Sequence, residues 1–315
     1  MNIAVSACLL GIKVRYDGGD RQSLFITNEL AKYATFIPFC PEALAFGTPR
    51  PSVRLIKKDG KTMVITNDGD IDLTKELLDK SNNELNNIST TNLSGIIFKA
   101  RSPSCGLGSN KIQINNSAQD LEVDGVFAAL CREKFPLLPM QEEGSLEDDW
   151  LRENFIMQLF AYNSFEVLKN NNPDIKMLVD FHTKNKFLLQ AKDEKLYRAL
   201  GNIVANHEKL PFSELFSNYE YNFKLAIGKK SSIKRNRNVL EHMSGFFKNE
   251  LSSVEKEILH KQIDEYAQKI VPIIVPLSTI KLYAKKYNTS YILGQVFLEP
   301  YPKELALRSS LLSSK

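Results

Sequence analysis

The chain has 315 residues, 41 of them Lys or Arg against 37 Asp or Glu, a net charge of +4, and four cysteines. With 43% apolar and 25% charged residues it has the composition of a globular protein, which excludes a disordered or collagen-like chain. Its apolar runs fall short of the roughly 20 residues that a bilayer-spanning helix needs, so no membrane association is expected. Four cysteines are too few for a disulfide-stapled secreted scaffold, and Met1-Asn2-Ile3-Ala4-Val5 opens straight into a strand pattern with no basic start or cleavage site. The expected compartment is the reducing cytoplasm.

The length favours two domains at roughly 100 to 200 residues each. In chain order, residues 3–8 are expected as a strand, 23–33 as a helix, 35–40 and 62–66 as strands, and 73–86 as a helix. A buried strand over 95–99, a helix over 124–134 and a last strand over 135–140 come next. This alternation predicts an α/β N-terminal domain over residues 1–145, built on a mainly parallel, Rossmann-like sheet. An acidic polar stretch around Gly144 marks the boundary. Beyond it, apolar residues recur every three or four positions, as in Leu196, Leu200 and Ile203, or Leu259, Ile263 and Tyr266. Residues 146–315 therefore read as an all-α domain. Ser252 with Glu255 makes a capping box for one of its helices, and Pro272 and Pro276 interrupt the segment after that helix.

Charge is unevenly placed. Residues 1–145 carry 16 basic and 17 acidic side chains, and residues 146–315 carry 25 and 20. The densest stretch holds Lys224, Lys229, Lys230, Lys234, Arg235 and Arg237 with no acid among them. It reads either as a solvated loop or as a contact for the phosphates of a nucleic acid.

Ligands of an open parallel sheet gather at the carboxyl ends of its strands. Cys8 and Cys40 end the first two expected strands, and Cys105 lies six residues past the 95–99 strand, so three distant thiols converge on one sheet edge. Cys131 falls mid-helix beside Phe127 and Leu130 and reads as core. Three thiols without a paired C-x-x-C do not resemble a structural zinc site. They suit a soft centre with an open position, such as an iron–sulfur cluster, or else are ordinary buried cysteines. Glu42, two residues past Cys40, offers a carboxylate for proton transfer. The turn-rich loop Arg101-Ser102-Pro103-Ser104-Cys105-Gly106 exposes hydroxyls and N–H groups to an anion or a polar substrate edge. Asp17, in the Arg15-Tyr16-Asp17-Gly18-Gly19 turn, and the fixed cations Arg50 and Arg54 are further candidate contacts, or simply turn and surface chemistry. No Walker-type loop or dinucleotide fingerprint is present.

Taken together, Ser6-Ala7-Cys8-Leu9-Leu10-Gly11, the Arg15–Gly19 turn, Cys40-Pro41-Glu42, Pro49-Arg50-Pro51 and the Arg101–Gly106 loop resemble the TudS thiouracil desulfidase family. The resemblance implies a four-iron four-sulfur cluster held by Cys8, Cys40 and Cys105 with one iron left open. It also implies Glu42 as general acid/base and Ser102 as substrate or proton-relay partner. The C-terminal half is similar to a second family often fused to the first, through Phe181-His182, Asn238-Val239-Leu240-Glu241-His242 and Pro300-Tyr301-Pro302; Leu282 stands where that pattern has a His. The fused architecture resembles RudS-type desulfidases, which implies 4-thiouridine in tRNA as substrate. Free thiouracil or a thiolated nucleoside, and a non-enzymatic RNA-binding or redox-sensing role, are the alternatives.

On that view Asp17, Arg50, Arg54, Arg101 and Ser104 contact substrate, and Lys229, Lys230, Lys234, Arg235 and Arg237 contact RNA. His182, Lys186 and Gln190 share one helix face, as do Asp193 and Tyr197 on the next turns. Phosphate contact is the functional reading of these faces, but a hydrogen-bonded core histidine is the expectation for His182 and His242, and a surface position for His207 and His260.

Overall fold

Strands and helices alternate through Met1–Glu147, the first of two units into which the chain divides. The order is β1 (Asn2–Ser6), β2 (Thr35–Phe39), α1 (Pro41–Phe46), β3 (Val53–Lys58), β4 (Lys61–Thr66), α2 (Thr74–Ser89), β5 (Leu93–Phe98), β6 (Asn110–Ile114), β7 (Ser117–Val123), α3 (Val126–Lys134) and β8 (Met140–Glu142). This computed structural model describes residues 1–114, 117–206 and 209–315. His207 lies outside the described residues.

The expected parallel sheet is present, with strand order β2-β1-β5-β8 and every neighbouring pair parallel. Ile3, Ala4 and Val5 of β1 are wholly buried and all six residues of β5 are buried, the near-continuous apolar pattern of strands covered on both faces. Phe39 at the end of β2, Phe98 at the end of β5 and Phe127 of α3 pack together there, with centroids 4.9 to 6.4 Å apart. This cluster fixes the edge of the sheet at which the cysteines emerge.

A second, mixed sheet of order β4-β3-β6-β7 adds to it. Of its strands, the periodicity predicts only 62–66. Val53–Lys58 comes after two prolines and ends in Lys57-Lys58, while β6 and β7 are broken by Asn, Gln and Asp, so neither shows the β-branched run that marks a buried strand. Contacts made far along the chain stabilise them. Val53, Leu55, Val64 and Ile112 pack with Leu77 of α2 in one apolar cluster. Two further expectations are corrected. Residues 23–33 hold only a short π turn, Phe25–Glu29, and a 3₁₀ turn, Leu30–Lys32, and the last strand begins at Met140, after a turn over 135–139.

The second unit, Asp148–Lys315, is helical as expected: α4 (Asp149–Asn170), α5 (Ile175–Lys192), α6 (Glu194–Ala205), α7 (Phe212–Ile227), α8 (Ile233–Ser244), α9 (Ser253–Ala267), α10 (Ile274–Lys286) and α11 (Ser290–Leu293). Asp148, Asp174, Asp193 and Ser232 each cap a helix by accepting an N–H from its first turn, and the Ser252–Glu255 capping box forms. Pro276 does not interrupt a helix. It occupies the first turn of α10, where its missing N–H would have had no intrahelical partner. Among the described residues no helix is long and apolar enough to cross a membrane.

Candidate active site

Each strand of the β2-β1-β5 trio hands one cysteine to the same sheet edge. After β1 the chain makes a 3₁₀ turn, Ala7–Leu10, that carries Cys8 and closes on Gly11 in the left-handed region at φ +82°. β2 runs directly into Cys40, which precedes α1, whose first turn holds Pro41. Cys105 sits in the loop beyond β5. All three line one cavity of about 300 Å³, together with Glu42, Arg50, Lys99, Arg101, Ser102 and Ser104.

The Cys105 loop is held by the start of α3. The N–H groups of Val126, Phe127 and Ala128 donate to the carbonyls of Pro103 and Ser104 at 2.9 to 3.1 Å, which satisfies donors a helix leaves open at its N-terminus. Gly125 makes this approach possible. A Cβ there would stand 2.5 Å from the Ser104 carbonyl carbon.

Glu42 is the hub of the cavity wall. Its Oε1 accepts from Ser102 Oγ at 2.8 Å and from Ser104 Oγ at 2.6 Å, and its Oε2 accepts from Arg50 Nη2 at 3.0 Å. Arg50 is itself fixed, since its Nη1 donates to the carbonyl of Val14 at 2.7 Å and its side chain is only 4% exposed. Its Nε is buried with no hydrogen-bond partner among the described residues, a donor left over in the wall. Ser102 Oγ also accepts the N–H groups of Ser104 and Cys105 at 3.3 and 3.1 Å, so that hydroxyl shapes the loop as well as holding Glu42. Ser104 Oγ bridges Glu42 to the Cys105 sulfur, 3.3 Å away. The two serines therefore reach the carboxylate equally, and Ser104 is the one that also touches a thiol.

Burial, aided by the neighbouring Cys40, pushes the Cys8 thiol up to about 12. Burial likewise raises Cys40 and, most of all, Cys105, where Cys40 and Glu42 add to the effect. These mutual influences place three neutral thiols around one space. Among the described residues no three His, Cys, Asp or Glu side chains stand close enough to hold a single metal ion. The ligands of one cluster sit on different irons and need not share a single ion, and three cysteines lining one cavity are a donor set whose chemistry suits such a group. Loading it would require the thiols to lose their protons.

The cavity gathers Cys8, Cys40, Cys105, Glu42, Ser102, Ser104, Arg50 and Arg101. Two of the expected contacts lie elsewhere. Asp17 is exposed and closes its own turn by accepting the Gly19 N–H at 3.0 Å. Arg54 points to the β4 end, donating to the Thr66 carbonyl at 2.8 Å and pairing with Asp70. Lys99 was not singled out by the sequence, though it stands immediately after β5, the position the strand-end rule favours. It lines the cavity and pairs with Glu143. Glu84 of α2, which accepts the Cys40 N–H at 3.3 Å, had no sequence signal at all.

In the helical unit the basic stretch is largely committed to internal contacts. Lys224 is buried between Glu166 and Glu220, both at 2.6 Å. Arg235 donates to the carbonyls of Ala191 and Lys230, and Arg237 pairs with Glu241 and Asp264. Lys230 lies over the Trp150 ring. Lys229 and Lys234 are exposed. His182 is the expected buried, hydrogen-bonded histidine, with Nδ1 3.1 Å from the Tyr219 hydroxyl. His242 bonds Gln190 but is exposed rather than core, and His260 is exposed as expected. Cys131 is fully buried in α3, and Leu282 is an exposed residue of α10.

Residues 3–143 match the family model described as 2-thiouracil desulfurase, and residues 186–302 match that of a protein family of unknown function, DUF1722. The chain is 34% identical over 113 residues to the uncharacterized protein YbbK of Bacillus subtilis, covering 34% of this chain and 74% of that one. It is 27% identical over 159 residues to the uncharacterized protein YbgA of Escherichia coli, covering 50% of this chain and 94% of that one. A solved structure described as the [4Fe-4S]-dependent thiouracil desulfidase TudS is 30% identical, covering 46% of this chain and 93% of its own, with a TM-score of 0.37. The chain belongs to the thiouracil desulfidase family through its first unit and carries a DUF1722 region in its second.

Proposed function

We propose that this protein is an iron–sulfur-dependent desulfidase that converts 4-thiouridine in tRNA to uridine, with Cys8, Cys40 and Cys105 holding a four-iron four-sulfur cluster. The observation that carries the reading is Glu42, held on both oxygens by Ser102, Ser104 and Arg50 in the wall of the three-thiol cavity. A bound cluster would supply a soft Lewis-acidic position for a thiocarbonyl sulfur. The net change, C=S plus water giving C=O plus hydrogen sulfide, needs no electron donor.

Glu42 takes the proton of the attacking water and returns a proton to the departing sulfur. Ser102 and Ser104 hold its Oε1 in place, and Ser104 links it by hydroxyl to the sulfur side of the cavity. The unpartnered Arg50 Nε is suited to a polar edge of the pyrimidine ring. The basic excess of the helical unit attracts the RNA backbone, with Lys229, Lys230, Lys234 and Arg237 exposed in that stretch.

The test is loss of the thiouridine absorption of bulk tRNA on adding anaerobic, cluster-loaded protein, at several salt concentrations. The tRNA reaction weakens as salt rises, through counterion release. Equal turnover of free thiouracil with no salt dependence would favour the second reading, a desulfidase of free bases. That reading draws on the cavity, whose lining comes wholly from the first unit.

A further inference from the structure

Among the described residues the buried His182 of α5 finds a hydrogen-bond partner for only one ring nitrogen. Its Nδ1 meets the Tyr219 hydroxyl at 3.1 Å, and its Nε2 faces Gly201 of α6, where a Cβ would come within 4.0 Å of it and of nothing else. His182 lines a cavity of about 550 Å³ between α5 and α6, together with Lys186, Tyr197 and Arg198. With Nδ1 engaged by the Tyr219 hydroxyl, the neutral imidazole leaves Nε2 to hydrogen-bond a ligand in the cavity. Burial, with Lys186 alongside, keeps His182 neutral by lowering it to about 4.

Around this imidazole the lining mixes the small apolar Val179, Val204 and Ala205 with Thr183 and Asn202. Among the described residues Arg198 pairs with Glu194 of its own helix, in a pair 75% and 41% exposed that a stronger anion can displace. Beside Tyr197 lies Tyr291 of α11, which Tyr197 influences electrostatically and which stacks on Phe246 at 5.2 Å; Phe246 is 45% exposed. A hydrogen-bonding imidazole in the lining, cations beside it and an aromatic shelf alongside are the elements by which proteins hold an unpaired nucleotide.

We propose that the α5/α6 cavity is an RNA-binding subsite that takes one unpaired nucleotide, its base hydrogen-bonding with His182 Nε2 and its phosphate meeting Lys186 and Arg198. This rests on the reading of tRNA as the substrate. It also moves the specific contact away from the basic stretch, whose cations are largely paired within the fold.

The experiment compares binding of bulk tRNA to the full chain and to Gly201→Leu and Lys186→Ala/Arg198→Ala variants across a salt series. Leucine fills the cavity while favouring helix over glycine, so that variant is expected to fold, which its thermal midpoint checks. Gly201→Leu should bind about tenfold more weakly with an unchanged salt slope. The double variant should lose about one to two units of that slope. Wild-type binding of tRNA with equal binding by Gly201→Leu would overturn this inference and leave the tRNA reading standing. Wild type that does not bind tRNA at all would overturn both, and desulfuration of a free thiolated nucleoside would then still be measurable.

Discussion

Both units bury ion pairs, and they use them differently. In the first, Glu42–Arg50 and Lys99–Glu143 stand on the wall of an open cavity, among thiols and hydroxyls. In the second, Glu153–Arg308 and Lys224 with Glu166 and Glu220 join helices and the C-terminal segment inside the core. A buried charge is a functional clue when its surroundings leave room for a ligand. Where every polar atom is absorbed by neighbouring segments, it acts as a fastener.

The largest effect that tests this contrast is Glu42→Gln. The amide keeps the size and much of the hydrogen bonding to Ser102, Ser104 and Arg50 but cannot take a proton. Desulfuration should fall by roughly 10² to 10⁴, the range of a lost general acid/base, while the brown colour of anaerobic protein persists. Activity that survives would remove Glu42 from the chemistry and leave it a fastener like the others.

Arg308→Met is the mirror experiment. Glu153 and Arg308 are each 6% exposed, with Tyr301 also donating to Glu153 at 3.1 Å. Removing one partner leaves a buried carboxylate with too few donors and should cost about 3–5 kcal/mol by denaturant titration. Turnover of a free thiolated base per folded molecule should be unaffected. A stable variant with impaired chemistry would erase the distinction drawn between the units.

A pH effect of about 3 kcal/mol is expected from His182, which belongs to both categories. Its pKa falls from 6.5 in the unfolded chain to about 4 in the fold. Between those values the unfolded state binds more protons, so stability is full above pH 6.5 and declines as pH drops toward 4. In His182→Gln this part of the pH dependence of the unfolding free energy should flatten. An unchanged slope would mean that the ring is not held neutral by burial.

How much of this was legible depends on where the stabilising contacts come from. Cys8, Cys40 and Cys105 could be placed together because parallel strands announce themselves by apolar runs and the ligand edge is set by topology. The second sheet could not, since Val53, Leu55 and Ile112 owe their burial to a cluster with Leu77 that no local pattern encodes. The same limit explains Arg54. A cation near the motif loops reads as a site residue until its partners, Thr66 and Asp70, are known. Likewise the run from Lys224 to Arg237 reads as a set of unpaired cations because Glu166, Glu220 and Asp264 lie outside it.

The smallest effect concerns the fourth thiol. Cys131 is fully buried in α3, one turn after Phe127, and burial alone raises its thiol well beyond the usual range. Serine there can return its hydroxyl proton to the carbonyl one turn earlier, so Cys131→Ser should cost only about 1 kcal/mol of stability. Colour and turnover should both be kept. Cys8→Ser is the paired control, because it removes a thiol that lines the cavity, and it should bleach the protein and abolish turnover together. If the Cys131 variant also loses colour, the division of the four thiols into three at the cavity and one in the core fails, and with it the reading of the first unit as a site built at the ends of three adjacent strands.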